Sequence, residues 1–397
     1  MRIATRLSQI KPSPTLGLNA QIQEMQAQGR SVVSLAVGEP DFPTPPHICQ
    51  AAKTAIDEGF TGYTAVPGTP ALRQAVADYY TRIYQVQANK EAVIVSNGGK
   101  QVLYNLLQAL VEPGDGVLLP VPYWVSYPPL IALAGGEVQA VSSVAEEEFL
   151  VTVEQLEACR TDTSRFLILN TPSNPTGSHY SQAQLDSILQ WALEHNLFVI
   201  CDEIYDQLVY PPARPATASH WWETAPDSVA VVNGLSKSFA MTGWRVGFGL
   251  AHPELIKAMT KLQGQSTSNI CSIAQKAAEA ALNGPWENVH AMRESFARRR
   301  DLALEIIATW PGTTCSCPSG AFYLFPHVGG CLQGTITDST ALATHILEQA
   351  GIAVVPGAAF GDDACLRLSY AVDEMVLSEA LHRIGEVLQD LVSSPQH

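Results

Sequence analysis

A lysine and an arginine, eight positions apart, are the residues with the clearest chemical potential in this sequence. Lys237 follows an apolar run at residues 229–232 that predicts a buried strand, and Asn233 and Gly234 are predicted to end this strand as a turn. A lysine at a pocket mouth has a lowered pKa because it is desolvated, so its amine can attack a carbonyl. Arg245 could hold a phosphate with its planar fork. The pair suits a ligand with an aldehyde and a phosphate; a surface lysine in a loop is the alternative.

Residues at the ends of other predicted strands add candidates for the same site. A strand at residues 197–201 is followed by Asp202 and Tyr205, where open α/β sheets bind ligands. Asp202 could pair with a protonated ring nitrogen and Tyr205 could donate to a phenolate oxygen, although a helix-capping acid is the alternative. Gly98 and Gly99 stand between a strand and a helix, where free N–H groups favour phosphate. This glycine pair is a weak signal by itself.

Three further residues have both a binding and a packing interpretation. Trp124, in PVPYWVSYPP, could face a flat ring or could simply pack. Tyr63 lies in a loop rich in glycine and proline, where a packed loop tyrosine is the alternative. Arg367 lies between two leucines in a predicted strand, so its side chain points to the opposite face. A buried arginine is rarely unpaired, so it predicts an anion, either a ligand or a structural ion-pair partner.

Composition argues against several classes of partner. The net charge is −15 with no basic run, which disfavours nucleic acid and anionic membranes. No stretch approaches the roughly 18 apolar residues of a membrane-spanning helix, and the N-terminus lacks an apolar signal core. The eight cysteines are scattered, and no histidine cluster completes a zinc site. We therefore expect reduced cytoplasmic thiols and no bound metal.

The order of predicted elements indicates an α/β protein with a second, smaller region. Strands alternate with helices from about residue 90 to 250, which predicts a mostly parallel sheet covered by helices. A long charged helix from 286 to about 309 then leads into a smaller α+β region. We expect residues 1–45 to form an N-terminal arm and part of the small domain, 46–285 the large domain, and 286–397 the small C-terminal domain.

Seven motifs, in this order, extend over nearly the whole chain: GEPDF, SNGGKQ, PYW, NPTG, CDEIYD, SKSFAMTGWRVG and RLSYA. Together they resemble the class I/II aminotransferases of the fold type I pyridoxal-phosphate enzymes, in particular the bacterial aspartate aminotransferase branch with its aspartate/prephenate members. The resemblance implies a seven-stranded, mostly parallel sheet in the large domain. It also implies pyridoxal 5'-phosphate as the cofactor.

The resemblance implies roles for the residues around this cofactor. Lys237 matches the lysine that binds the cofactor aldehyde and later moves the proton, and Asp202 matches the acid that keeps the ring nitrogen protonated. The remaining matches are to Asn174 and Tyr205 at the phenolic oxygen, Trp124 stacked on the ring, and Gly98, Gly99, Lys100 and Arg245 at the phosphate. Tyr63 matches a tyrosine that reaches the phosphate of a neighbouring subunit, which implies a homodimer with shared sites.

The resemblance also implies how the substrate binds. Arg367 matches the arginine that clamps the α-carboxylate, with the backbone of Gly38 beside it, and Trp124 and Asn174 also border the substrate. Lys100 matches the lysine that binds the distal carboxylate in this branch. Lys11, in KPSPT, matches a lysine associated in some relatives with prephenate as acceptor.

The implied activity is reversible transfer of the amino group between L-aspartate and 2-oxoglutarate, with prephenate as a second acceptor. Another reaction on the same fold, by an aromatic or alanine aminotransferase or a carbon–sulfur β-lyase, stays open. A non-catalytic regulatory module is disfavoured by the acidic charge and by the intact Lys237 and Asp202. Many relatives carry a serine where this sequence has Gly234, so one phosphate hydrogen bond is expected to be missing or replaced.

Overall fold

The structure of the protein is a computed structural model, which describes residues 29–393 without a gap. Among the first 28 residues it describes positions 3, 4, 7, 8, 10, 17, 22–25 and 27. Lys11 lies outside the described residues, so its predicted role stays a prediction.

Residues 29–393 contain short strands near both ends of the chain and longer ones between them. The strands are β1 (Val33–Ser34), β2 (Val93–Ser96), β3 (Gly116–Val121), β4 (Glu137–Ser142), β5 (Ser164–Asn170), β6 (Phe198–Asp202), β7 (Val229–Gly234), β8 (Gly247–Leu250), β9 (Tyr323–Leu324), β10 (Ile352–Ala353), β11 (Val355–Pro356) and β12 (Leu366–Ser369).

The same residues contain helices that alternate with the longer strands. They are α1 (Pro46–Asp57), α2 (Pro70–Tyr84), α3 (Gly99–Leu110), α4 (Tyr127–Ala134), α5 (Val153–Cys159), α6 (Gln182–Glu194), α7 (Ser219–Thr224), α8 (Pro253–Ser266), α9 (Ser272–Asn283), α10 (Glu287–Ile307), α11 (Ser339–Ala350) and α12 (Glu374–Ser393). Helix α6 begins with a capping box, in which Ser181 and Gln184 satisfy each other's backbone N–H groups.

The large sheet has seven strands in the order β2-β8-β7-β6-β5-β3-β4. Strands β3 to β7 pair in parallel, and β8 runs antiparallel to both β7 and β2. The predicted α/β fold with a mostly parallel, seven-stranded sheet is therefore confirmed. Since crossover helices cover both faces, its strands are continuous apolar runs rather than alternating ones.

Strand β7 shows how the two faces of this sheet are buried. Val229 and Val231 belong to one apolar cluster, with helices α2, α6 and α9, whereas Ala230 and Val232 belong to a second cluster on the other face. Successive side chains of a strand point to opposite faces, so a strand buried on both sides needs apolar residues at every position. The run at residues 229–232 meets this requirement.

A second apolar core lies under two smaller sheets. Strands β11, β12 and β9 form an antiparallel sheet, and β1 pairs in parallel with β10. Helices α10, α11 and α12 pack on this core, to which Phe296, Ile346 and Ile384 each contribute fully buried side chains. Strand β1 thus joins the beginning of the chain to its last third. The domain boundaries predicted at residues 46 and 286 stay predictions.

One local prediction was wrong. Asn233 and Gly234 do not form a turn, because β7 continues through both and pairs with β8, Gly234 opposite Gly247. Within the described residues, no helix is both long and apolar enough to cross a membrane. The same residues hold no group of three or more His, Cys, Asp or Glu arranged to bind a metal ion.

Candidate active site

A cavity of about 410 Å³ opens at the carboxyl ends of β5, β6 and β7. Asn170 and Asp202 are the last residues of β5 and β6, and Lys237 follows β7 by three positions. Ten of the residues predicted from the sequence line this cavity: Gly38, Gly99, Lys100, Trp124, Asn174, Asp202, Tyr205, Lys237, Arg245 and Arg367. Gly98 is the N-cap residue of α3, next to them. The cavity has the position expected of a ligand site in an open α/β sheet.

Lys237 is half-buried at the wall of the cavity, and its amine has no carboxylate at ion-pair distance among the described residues. Its Nζ atom donates a hydrogen bond to the carbonyl oxygen of Gly38, at 2.5 Å. Burial lowers the pKa of this amine to about 8, and the positive charge of Arg367 adds to the shift while the carboxylate of Glu39 opposes it. A lysine with this pKa is partly unprotonated near neutral pH and can act as a nucleophile or base.

Asp202 is 5% exposed at the deep wall of the cavity. Its Oδ2 accepts a hydrogen bond of 2.8 Å from the Tyr127 hydroxyl, and its Oδ1 accepts one of 3.2 Å from the Ile204 N–H. Burial raises the pKa of this carboxyl to about 6, although these hydrogen bonds and the charge of Lys237 oppose the rise. No cationic side chain of the described residues is at ion-pair distance, so a ligand cation placed against Asp202 would stabilise its charged form.

The backbone at Gly98 allows the side chain of Arg245 to approach closely. Gly98 has φ of +83°, and a Cβ atom there would lie 2.3 Å from the Nη2 of Arg245. Arg245 donates to the carbonyl oxygens of Thr242 at 3.0 Å and Asn97 at 3.2 Å. Its guanidinium is thereby held beside the first turn of α3, where unpaired N–H groups and the helix dipole attract anions.

Arg367 lies on β12 and is 3% exposed. It donates to the Oδ1 of Asn174 at 3.1 Å and to the carbonyl oxygen of Ala36 at 2.6 Å, and its buried Nε has no hydrogen-bond partner among the described residues. Desolvation lowers the pKa of this guanidinium. The structural ion pair considered for it is not found, because no described carboxylate is at ion-pair distance. The arrangement leaves a desolvated cation at the cavity wall.

Lys100 lies at the exposed side of the cavity. It is in the first turn of α3, and its Nζ stands 4.8 Å from the centre of the Trp124 ring. Desolvation, followed by the nearby charge of Arg245, lowers the pKa of its amine. Neither Lys100 nor Arg245 makes an ion pair with a described residue.

Four cations without an ion-pair partner in the described part of the chain therefore line one cavity: Lys100, Lys237, Arg245 and Arg367. This local excess of positive charge stands out in a protein of net charge −15. The acidic side chains on the cavity wall are Asp202 and Glu39. Such a site is built for a ligand or ligands that carry several negative charges.

Sequence reasoning missed four residues that line this cavity. Tyr127 donates to Asp202, and Asn170 links the backbone of Asp202 to that of Asn174 through bonds of 2.9 and 2.8 Å. Tyr323 pairs its hydroxyl with that of Tyr205 at 2.9 Å. Glu39 accepts a 2.7 Å hydrogen bond from Thr242. Glu39 stands inside the motif GEPDF, and Asn170 lies four positions before the motif NPTG, so closeness to a motif was the available signal.

Tyr63 is 93% exposed and is not among the residues that line the cavity.

Gly234 has a packing reason to lack a side chain. A Cβ atom there would lie 2.9 Å from the carbonyl oxygen of Val246 and 3.0 Å from the Cα of Gly247. A serine at this position would push β8 away from β7.

Together, the sheet and the cavity define an α/β enzyme that carries a nucleophilic lysine beside several anion-binding groups. The model of one protein family, aminotransferase class I and II, matches residues 30–384, and the chain belongs to this family. The protein is therefore an aminotransferase.

Individual relatives are similar over nearly the whole chain. An aspartate/prephenate aminotransferase of Cereibacter sphaeroides is 44% identical over 389 residues, which cover 96% of this chain and 97% of the relative. The crystal structure of the aspartate aminotransferase from Rhizobium meliloti has a TM-score of 0.94 and 39% identity, and the match covers 98% of this chain and 99% of that one. The aspartate aminotransferase from Thermus thermophilus with maleate has a TM-score of 0.91 and 39% identity, covering 98% and 100%.

Proposed function

We propose that this aminotransferase uses pyridoxal 5'-phosphate to move the amino group between L-aspartate and 2-oxoglutarate. The observation that carries the proposal is the convergence of four cations without ion-pair partners among the described residues on one cavity that holds a lysine of lowered pKa. One phosphate and two carboxylates are the anions that such a reaction brings to the site. The names of the relatives support aspartate as the amino donor.

The residues of the cavity fit this cofactor. Arg245 and the N–H groups at Gly98 and Gly99 would hold its phosphate, and a side chain at position 98 would collide with the arginine. Asp202 offers a buried carboxylate for the ring nitrogen, and Trp124 offers a flat face. When bound, pyridoxal phosphate supplies the electron sink that stabilises negative charge at the substrate Cα.

Lys237 holds and moves the proton in this proposal. Its amine would hold the cofactor aldehyde in the resting enzyme, and the incoming substrate amine would set it free. Because its pKa is lowered to about 8, the released amine is partly unprotonated and can accept the Cα proton of the substrate. Asn174 and Tyr205 would hold the phenolic oxygen of the ring, which fixes the plane in which the proton must move.

Two cations would orient the substrate. Arg367, desolvated and 3% exposed, would bind the α-carboxylate through its planar fork beside the backbone of Gly38. Lys100 would bind the distal carboxylate at the mouth of the cavity. The relative solved with maleate, a dicarboxylate, supports a substrate of this charge. Prephenate is proposed as a second acceptor on the basis of the relatives' names and of Lys11.

We further propose a cytoplasmic homodimer. Tyr63, 93% exposed in one chain, would reach the cofactor phosphate of the partner subunit. The eight cysteines make no disulfide, which is consistent with a reducing compartment.

Because Gly234 cannot carry a hydroxyl without displacing β8, we propose that the Ser236 hydroxyl, which lines the cavity, replaces the missing phosphate donor.

The decisive experiment is the visible absorption spectrum of the purified protein before and after L-aspartate is added. We expect a yellow band that shifts with pH, and we expect aspartate to bleach it to the amine form of the cofactor. A band that responds to another amino acid but not to aspartate would reject the substrate and keep the aminotransferase. No band after addition of pyridoxal phosphate would reject the proposal.

A carbon–sulfur lyase on the same fold is tested with cystathionine as substrate. Release of pyruvate and ammonia at a rate comparable with aspartate turnover would favour this alternative. We expect neither product, because Lys100 and Arg367 would hold a dicarboxylate substrate at both ends.

A further inference from the structure

Tyr323 makes contact with three of the residues on which the proposed function depends. It lies on β9, is fully buried and lines the cavity. Its hydroxyl is 2.9 Å from the hydroxyl of Tyr205, and its ring centre is 4.7 Å from the guanidinium carbon of Arg367. A Cβ atom on Gly38 would lie 3.1 Å from the same hydroxyl. One side chain therefore borders the proposed binding groups of both cofactor and substrate.

We propose that Tyr323 is a positioning residue with two separable parts: its hydroxyl orients Tyr205 toward the cofactor, and its ring holds Arg367 for the substrate carboxylate. This inference rests on the proposed function and extends it to a residue that contacts neither reacting atom. The two parts predict different kinetic effects, so they can be tested apart.

The hydroxyl part follows from counting protons. Each tyrosine hydroxyl has one proton to donate, and in a bonded pair only one of the two protons is used. Among the described residues, neither Tyr205 nor Tyr323 has another hydrogen-bond partner for its hydroxyl. If Tyr323 donates to Tyr205, the proton of Tyr205 stays available for the phenolic oxygen of the cofactor, and the chain of two bonds strengthens that donation.

The ring part follows from the packing of Arg367. Its guanidinium carbon lies 4.7 Å from the centre of the Tyr323 ring and 5.1 Å from that of Phe360. Because no described carboxylate pairs with this cation, the two aromatic faces supply the nearby negative charge density. They also restrict the guanidinium to one orientation, which lowers the entropy that substrate binding must remove.

Other charged groups border this pair. Lys237 Nζ lies 5.9 Å from the centre of the Tyr205 ring, and Asp202 and Glu39 line the same cavity. All of them remain in a variant that lacks only the Tyr323 hydroxyl, so a change in that variant reports the hydroxyl itself.

The hydroxyl is tested with Tyr323→Phe in the enzyme loaded with pyridoxal phosphate. A donor to the phenolic oxygen stabilises its negative form and so lowers the pKa of the cofactor–lysine linkage, which the visible spectrum reports. We expect this pKa to rise by about half a unit when the donor is weakened. The KM for aspartate should stay within about twofold of the wild-type value, because the aromatic face toward Arg367 is kept.

Tyr370→Phe is the matched control. Tyr370 is also fully buried in the same apolar core, and its hydroxyl bonds to that of Tyr210 at 3.3 Å, but it does not line the cavity. We expect its linkage pKa to equal that of the wild-type enzyme. An unchanged or lowered pKa in Tyr323→Phe, or an equal rise in Tyr370→Phe, overturns the hydroxyl part.

The ring is tested with Tyr323→Leu, whose fold is checked by circular dichroism. We expect the KM for aspartate to rise about tenfold, beyond the effect of Tyr323→Phe, because Arg367 loses one aromatic face. Equal KM values in the two variants overturn the ring part. Should the leucine variant fail to fold, Tyr323→Phe still decides the hydroxyl part. A wild-type protein without a visible band rejects the proposed function instead, so the two failures are distinguishable.

Discussion

The cavity carries charged side chains in two places that differ in exposure to water. Asp202 and Arg367 form its buried deep wall, and Lys100 and Arg245 stand at its mouth. Asp202 and Arg367 are 5% and 3% exposed, and each has a pKa shifted by desolvation. Lys100 and Arg245, at the mouth, are exposed, although desolvation also lowers the pKa of the Lys100 amine. A desolvated charge interacts strongly with whatever is placed against it, whereas an exposed charge is screened by water. The comparison suits a deep wall that fixes the reacting groups and a mouth at which Lys100 distinguishes between substrates, while Arg245 there would hold the cofactor phosphate.

The geometry around each group supports this division. Deep side chains are fixed by neighbours: Asp202 by Tyr127 and by the Ile204 N–H, and Arg367 by Asn174 and Ala36. Lys100 has an aromatic ring beside it and no carboxylate partner among the described residues. We therefore expect variants of Asp202 to lower kcat and cofactor binding, and variants of Arg367 to lower kcat/KM with the cofactor retained. At the mouth, variants of Lys100 should change the KM of particular substrates.

The largest effect is expected for Lys237→Ala. This change removes both the group proposed to bind the cofactor aldehyde and the base proposed to accept the Cα proton, so kcat should fall at least about a thousandfold. The pH-sensitive visible band should also disappear, while some cofactor stays bound through Arg245 and Asp202. Turnover near the wild-type rate would refute the proposed mechanism and the assignment of chemistry to the deep wall.

A smaller but still large effect is expected for Arg367→Lys. Lysine keeps the charge but loses the planar fork and the contact with two aromatic faces. We expect kcat/KM for aspartate to fall about a hundredfold, in line with the 2–5 kcal/mol that truncating a buried charge partner costs. The cofactor spectrum should be retained, since this residue is proposed to bind the substrate. An equal loss of bound cofactor would mean that the arginine supports the fold of the cavity.

The sequence was sufficient to predict the deep wall because its chemistry is local to motifs. Asp202 stands directly after an apolar run and Lys237 five positions after another, and the ends of parallel strands converge at one edge of a sheet. Tyr323 and Tyr127 were missed for a physical reason. Each lies in an apolar segment where a tyrosine indicates packing, and its role depends on which hydroxyl or carboxylate the tertiary fold places within 3 Å.

The prediction of Asn233 and Gly234 as a turn shows a second limit of sequence reasoning. An asparagine and a glycine commonly mark a turn, but here they extend β7 by two residues. The reason is the antiparallel neighbour β8, which approaches Gly234 so closely that only glycine fits there. Pairing with a strand distant in sequence overrides the preference of asparagine and glycine for a turn, and no pattern around residue 233 predicts that pairing.

A moderate and selective effect is expected for Lys100→Ala. Loss of one charge-assisted contact to the distal carboxylate should raise the KM for aspartate about tenfold, which corresponds to about 1.4 kcal/mol. The KM for alanine, which has no distal carboxylate, should change less than about twofold. Lys53→Ala, at an exposed position of α1, is the matched control and should change neither. Equal losses for both substrates would place the distal carboxylate elsewhere and remove the proposed role of the mouth.

The smallest effect is expected for Tyr127→Phe. This variant tests whether the ionisation of Asp202 depends on the hydrogen bonds that its carboxylate accepts. The Tyr127 hydroxyl donates to Asp202 at 2.8 Å and opposes the rise of its pKa, which burial brings to about 6. Without this donor, the pKa of the carboxyl in the cofactor-free protein should rise further. More of it is then protonated at pH 6.5, whereas at pH 8.5 it is largely ionised in both proteins.

Since a neutral Asp202 attracts the ring nitrogen less, the affinity of the Tyr127→Phe protein for pyridoxal phosphate should fall about threefold at pH 6.5 and less at pH 8.5. Equilibrium titration of the cofactor-free protein at the two pH values measures this difference. Tyr104→Phe, at a half-buried tyrosine of α3 outside the cavity, is the control and should show no pH-dependent change. An equal loss at both pH values would assign to Tyr127 a packing role, and the ionisation of the deep wall would then depend on the cofactor cation alone.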